Sequence, residues 1–186
     1  MQTELVKTNG TTAIHKQQAA PLDFTQEQRR MILDSFLNGA TEAEASVLME
    51  LARLRRLNPI TRQIHFVKRW DGERNGYVWA AQVGIDGFRA IAERTGLYDG
   101  QDEPEFEYDK NGGLRLCRVK IYRKDWSRAA VGVAHMAEYV QKKKDGSPTS
   151  MWANKPHVMI AKCAEALAFR KAFPEDTSGL YAPEEM

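Results

Sequence analysis

Residues 114–124 constrain the chain more than any other stretch. Leu114, Leu116, Val119 and Ile121 alternate with Arg115, Arg118, Lys120 and Tyr122, the period of a strand with one face in a core and a basic face in water. The alternation slips once, at Cys117, which predicts a bulge. Strand partners lie nearby in the chain: a β-rich run over residues 105–109, joined through the turn Lys110-Asn111-Gly112-Gly113, and another over 129–133 after a turn near Asp125. A separate hairpin is predicted from residues 63–68 and 77–83, with Asp71-Gly72 and Asn75-Gly76 as turn signals between them.

Helical signals surround these strands. Thr25-Gln26-Glu27-Gln28 reads as a capping box opening a helix to about Leu37, ended by Asn38-Gly39. Thr41 caps a second helix whose apolar residues Ala45, Leu48, Leu51, Ala52 and Leu54 fall at steps of three and four, stopped by Asn58-Pro59. Asp86 is expected to cap a short helix to about Arg94, closed by Thr95-Gly96. The longest helix runs over 156–173, with Pro156 at its start and Pro174 just past its end. Residues 141–151 read as a basic, turn-rich loop long enough to be mobile. The expected fold class is α+β: antiparallel hairpins packed against helices in a single core domain over 22–181, with a flexible tail at 1–21 and a short one at 182–186.

At 186 residues one core suffices. No apolar run approaches the roughly 20 residues of a membrane helix, and the polar start Met1-Gln2-Thr3-Glu4 is no secretory signal, so a soluble, intracellular protein is expected. Cys117 and Cys163 are too few for a disulfide framework or a zinc ligand set, and both are expected to be reduced.

The net charge of +2 hides an uneven pattern. Residues 53–74 sum to +5, 110–144 to +8 and 152–173 to +3, while 97–109 sum to −6 with no basic residue. Basic blocks brought together by folding would make a cationic groove for a polyanion. Aromatic residues are interleaved with them: Phe66 and Trp70 near Lys68 and Arg69, Tyr122 and Trp126 near Arg123 and Lys124, Trp152 near Lys155. Cations contact phosphates and exposed rings stack unpaired bases, a mixture that suits single strands better than duplex. On the last helix Lys162, Ala166 and Arg170 recur every four residues, with Lys155 two turns earlier, as a cationic row in which Ala166 leaves room for a phosphate or sugar.

Signs of catalysis are lacking. No G-x-x-x-x-G-K-[ST] string occurs, which argues against ATP use. His15, His65, His135 and His157 have no ligand spacing, and no nucleophilic Ser or Cys has a recognisable context. The acidic cluster Asp99, Asp102, Glu103, Glu105, Glu107 and Asp109 offers carboxylates for Mg²⁺, yet its spacing does not follow a nuclease pattern. It reads better as a solvated face or as a head-to-tail contact with the basic block of a neighbouring copy.

Five short strings then occur in order: Leu57-Asn58-Pro59-x-Thr61-Arg62-x-Ile64; Val83-Gly84-Ile85-Asp86-Gly87-Phe88; Tyr98-Asp99-Gly100; Ile121-Tyr122-Arg123-Lys124-Asp125; and residues 152–159 with Arg170, Ala172-Phe173 and Gly179-Leu180-Tyr181. Over residues 25–186 the chain resembles the Redβ/RecT phage single-strand annealing recombinases. The resemblance implies an ATP-independent protein that coats single-stranded DNA, pairs complementary strands, and assembles into rings or helical filaments with a continuous basic groove. It implies no dedicated cofactor, although Mg²⁺ assistance in annealing stays open. Implied partners are single-stranded and annealed duplex DNA, further copies of the chain, a phage exonuclease and a host single-strand-binding protein, in the cytoplasm of a bacterial host. The family's C-terminal partner-binding region is expected to be absent. Arg62, Lys68 or Arg69, Trp152 and Arg170 would contact DNA, and Lys162 stands one residue from the family's helix lysine. Arg123, Lys124 and Lys155 complete the expected contact set from the basic blocks. His157 and Val158 stand where lambda-like members have basic residues. Alternatives remain: a passive single-strand-binding protein that protects DNA, a Mg²⁺-dependent nuclease using the acidic cluster, and a structural oligomer with no DNA role.

Overall fold

Both N-terminal helices start on reciprocal caps. In the computed structural model, which describes residues 20–183, Thr25 Oγ1 accepts from the Gln28 amide and Gln28 Oε1 from the Thr25 amide at the head of α1 (Gln26–Phe36). Thr41 and Glu44 repeat the arrangement at α2 (Glu42–Arg55). Each such cap is worth about 1 kcal/mol. The expected tail at 1–21 lies outside the described residues except for Ala20 and Pro21.

The first hairpin forms as expected and runs further toward its turn. Strands β1 (Ile64–Asp71) and β2 (Gly76–Val83) pair antiparallel from Ile64 opposite Val83 to Asp71 opposite Gly76, as a two-stranded sheet of their own. Asp71 Oδ1 accepts from the amides of Glu73 and Arg74, and Asn75 takes the left-handed conformation. Helix α3 (Ile85–Arg94) is capped by Gly84 rather than by Asp86, which lies inside its first turn. A Cβ on Gly87 would collide with the Gln63 carbonyl oxygen and come within 2.6 Å of Val83 Cγ1, so the first turn of α3 lies directly on the foot of the hairpin.

The main sheet is built around β5 (Leu114–Arg123). Along one edge run β3 (Tyr98–Gln101) and β4 (Glu105–Tyr108), interrupted around Pro104, and along the other β6 (Ala130–His135), all antiparallel. The expected slip is present: Glu107 pairs with Leu116 and Tyr108 with Leu114, which leaves Arg115 as the extra residue and lets both Leu116 and Cys117 be buried. Burial pushes the Cys117 thiol up to about 11, and both cysteines are free.

Helix α6 (Pro156–Ala172) lies on β5 and β6 on one side and against α3 on another. Its small residues set the spacing. A Cβ on Gly132 of β6 would overlap the Ala164 carbonyl oxygen and come 2.5 Å from the Ala168 amide nitrogen, so glycine is the residue that lets strand and helix touch. Three short helices have weaker sequence signals: α4 (Met136–Tyr139), α5 (Ser150–Asn154) and α7 (Pro174–Thr177). The expected mobile loop over 141–151 is instead a closed turn that leads into α5. Lys143 donates to the Ser147 carbonyl, Thr149 to the Gln141 carbonyl, and Asp145 accepts from the Ser147 amide. The core also continues past residue 181, because Ala182 is buried, while residues 184–186 lie outside the described residues. Among the described residues no helix is long and apolar enough to cross a membrane.

Candidate nucleic-acid interface

The Asn-Pro segment after α2 is a tight turn that presents Arg62. Asn58 Oδ1 accepts from the Ile60 amide, Gln63 Oε1 accepts from the Asn58 amide, and the Arg62 amide donates to the Pro59 carbonyl. Arg62 is exposed and held at φ 62, a left-handed value that costs a non-glycine residue about 1–3 kcal/mol. Its carbonyl faces Gly84, where an added Cβ would lie 3.4 Å away. Beside Gly84, the Val83 amide donates to the Tyr181 carbonyl at 2.8 Å. The Tyr181 ring in turn carries the Arg170 guanidinium at 5.3 Å from its centroid, within cation–π range. Arg62, the hairpin foot, the start of α3, the C-terminal segment and Arg170 thus meet at one junction. Lys68 stands four residues up β1 from Ile64, about 13 Å along the strand.

Other cations, from the 53–74 block and from α3, serve the fold. Arg55 donates to the carbonyls of Glu175, Asp176 and Ser178 and fixes α7. Arg94 donates to the Arg55 and Arg56 carbonyls at the end of α2. Arg53 pairs with Glu50. Arg89 grips Glu165 through Nε and a second nitrogen at 2.7 and 2.9 Å, and this carboxylate, buried in the middle of α6, holds the guanidinium more firmly charged.

The outer face of the main sheet differs from expectation. Three acids of the stretch, Asp102, Glu105 and Glu107, meet the basic face of their own chain. Glu107 binds both Arg115 and Arg118, Glu105 binds Lys120, and Asp102 accepts from Tyr122. The two guanidiniums hold the Glu107 carboxyl below its ordinary range, and Glu105 holds Lys120 more firmly protonated. Among the described residues no group of three His, Cys, Asp or Glu side chains is arranged to hold a metal ion.

Comparison with protein-family models matches residues 22–186 to the RecT family. The chain belongs to the RecT family. Membership carries a role in phage single-strand annealing during recombination and thus in binding single-stranded DNA. No curated protein matches the chain. The order of the RecT-like strings also acquires a spatial meaning, because the Asn58-to-Ile64, Val83-to-Phe88, Arg170 and Gly179-to-Tyr181 strings converge on the junction.

The expected contact residues divide on this geometry. Arg62, Lys68, Lys124 and Lys155 are exposed and Lys162 is half-buried, and none of the five side chains has a hydrogen bond or contact ion pair among the described residues. Arg69 is exposed on the face of the hairpin opposite Lys68. Arg123 is drawn into the structure instead. Its guanidinium pairs with Asp125 at 2.7 and 2.8 Å, donates to the Ala172 carbonyl, and stacks between Trp126 and Phe173, with 14% of the side chain exposed. Trp152 is 2% exposed and part of the core, so its ring has no face for a base. Lys155 sits at the head of α6, about 22 Å from Arg170 along the helix axis, away from the junction. The expected cationic row on α6 is also interrupted, because Ala166 is fully buried and leaves no gap for a phosphate. Ala166 joins the other buried alanines of α6, Ala164, Ala168 and Ala172, in the core. Tyr181 belonged to a recognised string but was not expected at the site; the signal available was its place after Gly179, which takes φ 76 and turns the segment back.

Proposed function

We propose that this RecT-family chain binds one DNA strand by its phosphates along a track beginning at the Arg62–Arg170 junction and running up the hairpin past Lys68, with the base edges left free for a complementary strand. Annealing then needs no ATP, since base pairing supplies both specificity and driving force. Copies of the chain lined up on one strand, as a ring or filament, add avidity by raising effective concentration. Mg²⁺ has at most an assisting role by screening phosphates. In a bacterial host cytoplasm, a phage exonuclease would supply the strand and a host single-strand-binding protein would be displaced from it. The observation that carries this reading is the junction itself, where segments distant in the sequence adjoin, two of them carrying Arg62 and Arg170, and Arg62 has no acidic partner among the described residues. Against a nuclease stands the engagement of two of its candidate carboxylates, Glu107 with Arg115 and Arg118 and Glu105 with Lys120.

Mixing two complementary labelled oligonucleotides without nucleotide tests this directly. The reading expects faster pairing than in a protein-free control. Slower pairing identifies a passive protecting protein, and an unchanged rate rejects annealing.

A further inference from the structure

The hairpin carries aromatic rings beyond the point where the core ends. Directly opposed residues of an antiparallel pair share a face. The register therefore puts Phe66, Lys68 and Trp70 of β1 on one face with Ala81, Trp79 and Tyr77 of β2. Near the foot this face is in the core: Phe66 is buried and Trp79 half-buried. Toward the tip it enters water, yet the aromatic character persists. Trp70 is 53% and Tyr77 64% exposed, packed edge to face with ring centroids 5.4 Å apart. Such a pair in water leaves ring faces uncovered.

We propose that Trp70 and Tyr77 form a stacking platform for bases of single-stranded DNA, with Lys68 on the same face holding the phosphate that follows. This inference rests on the proposed function and names a subsite within it. The charge on the face selects the occupant. An apolar protein surface laid over the rings would also cover Lys68, which has no contact ion pair among the described residues and only the longer-range attraction of Glu44, and burying such an ammonium is costly. A nucleotide strand offers flat rings to Trp70 and Tyr77 and a phosphate to Lys68. The reach also fits. Trp70 is six residues beyond Ile64, about 20 Å up the strand, which corresponds to about six nucleotides at the stacked rise of 3.4 Å. The platform therefore bears on bases beyond those held at the junction.

The test compares binding of a labelled oligothymidine with that of a strand of equal length whose bases have been replaced by abasic sites. Trp70→Ala and Tyr77→Ala are each expected to lose about tenfold in affinity for the oligothymidine. Neither should change affinity for the abasic strand or the salt slope on either, and Trp70→Phe should retain most of the binding. Lys68→Ala should weaken both strands alike. Equal losses on both strands, or no loss on either, overturn the platform. Light scattering supplies a second readout: a loss of affinity that follows a smaller assembly identifies the tip as a contact between copies and also overturns it. A wild-type chain that binds neither strand rejects the proposed function itself, an outcome distinct from failure of the platform alone.

Discussion

The hairpin with its junction and the outer face of the main sheet are both basic in sequence, and folding treats them in opposite ways. On the sheet, three of the four cations of β5 have an acid one strand away, Arg115 and Arg118 on Glu107 and Lys120 on Glu105, and the fourth, Arg123, pairs with Asp125. At the junction and along the hairpin, Arg62 and Lys68 form no contact ion pair among the described residues, and Lys68 has only the longer-range attraction of Glu44. The antiparallel register of β4 against β5 causes the difference, because it lays the −6 stretch across the basic strand. A basic run thus locates cations, and only pairing decides which of them remain for a polyanion.

Two glycines test the regions separately, and the larger effect belongs to the sheet. Gly132→Ala would drive a methyl into the backbone of α6, and a loss of about 3 kcal/mol or more is expected in chemical denaturation. Oligonucleotide affinity per folded molecule should persist. Gly87→Ala collides with the Gln63 carbonyl next to Arg62; about 1–3 kcal/mol of stability should go, together with DNA affinity. If Gly132→Ala rather than Gly87→Ala weakens binding by the folded protein, the regions have been assigned the wrong way round.

Tyr181→Ala sharpens the junction side. It removes the ring beneath Arg170, an interaction worth about 0.5–1 kcal/mol, and a weaker hold on DNA with little change in melting temperature is expected in anisotropy titrations. Tyr181→Phe keeps the ring face and should keep the affinity.

Acid reveals the sheet side. In the folded protein the Glu107 carboxyl titrates below its ordinary 4.5, so its contribution to stability is complete above that pH and fades as pH falls through the lowered value. Denaturation midpoints between pH 7 and pH 3 should decline with a small component that Glu107→Gln removes. An identical acid limb in wild type and variant would mean that the Glu107 network contributes nothing to stability.

Much of the fold was legible because its signals are local. Both capping boxes, the hairpin turn, the slip in β5 and the proline-bounded α6 follow from a few adjacent residues. Gly84 rather than Asp86 caps α3, and the first turn of that helix packs on Gln63, distant in sequence, a neighbour that local cap preferences do not show. The site was less legible for the same reason. Arg123 and Trp152 lie in basic, aromatic segments like those of Lys68 and Trp70, yet the first pair faces Phe173 and the core while Lys68 and Trp70 stand on a strand that outruns its packing. No charge sum distinguishes these cases, since the difference lies in tertiary neighbours.

The salt dependence of single-strand binding tests the central contrast most directly. For single strands, each phosphate contact contributes about 0.7 to the slope of log K against log salt. The Arg62→Ala/Lys68→Ala double variant is predicted to flatten that slope by about 1.4 relative to wild type, and Arg118→Gln/Lys120→Gln to leave it unchanged. An unchanged slope in the first variant, or a flattening in the second as large as that expected of the first, would contradict the account.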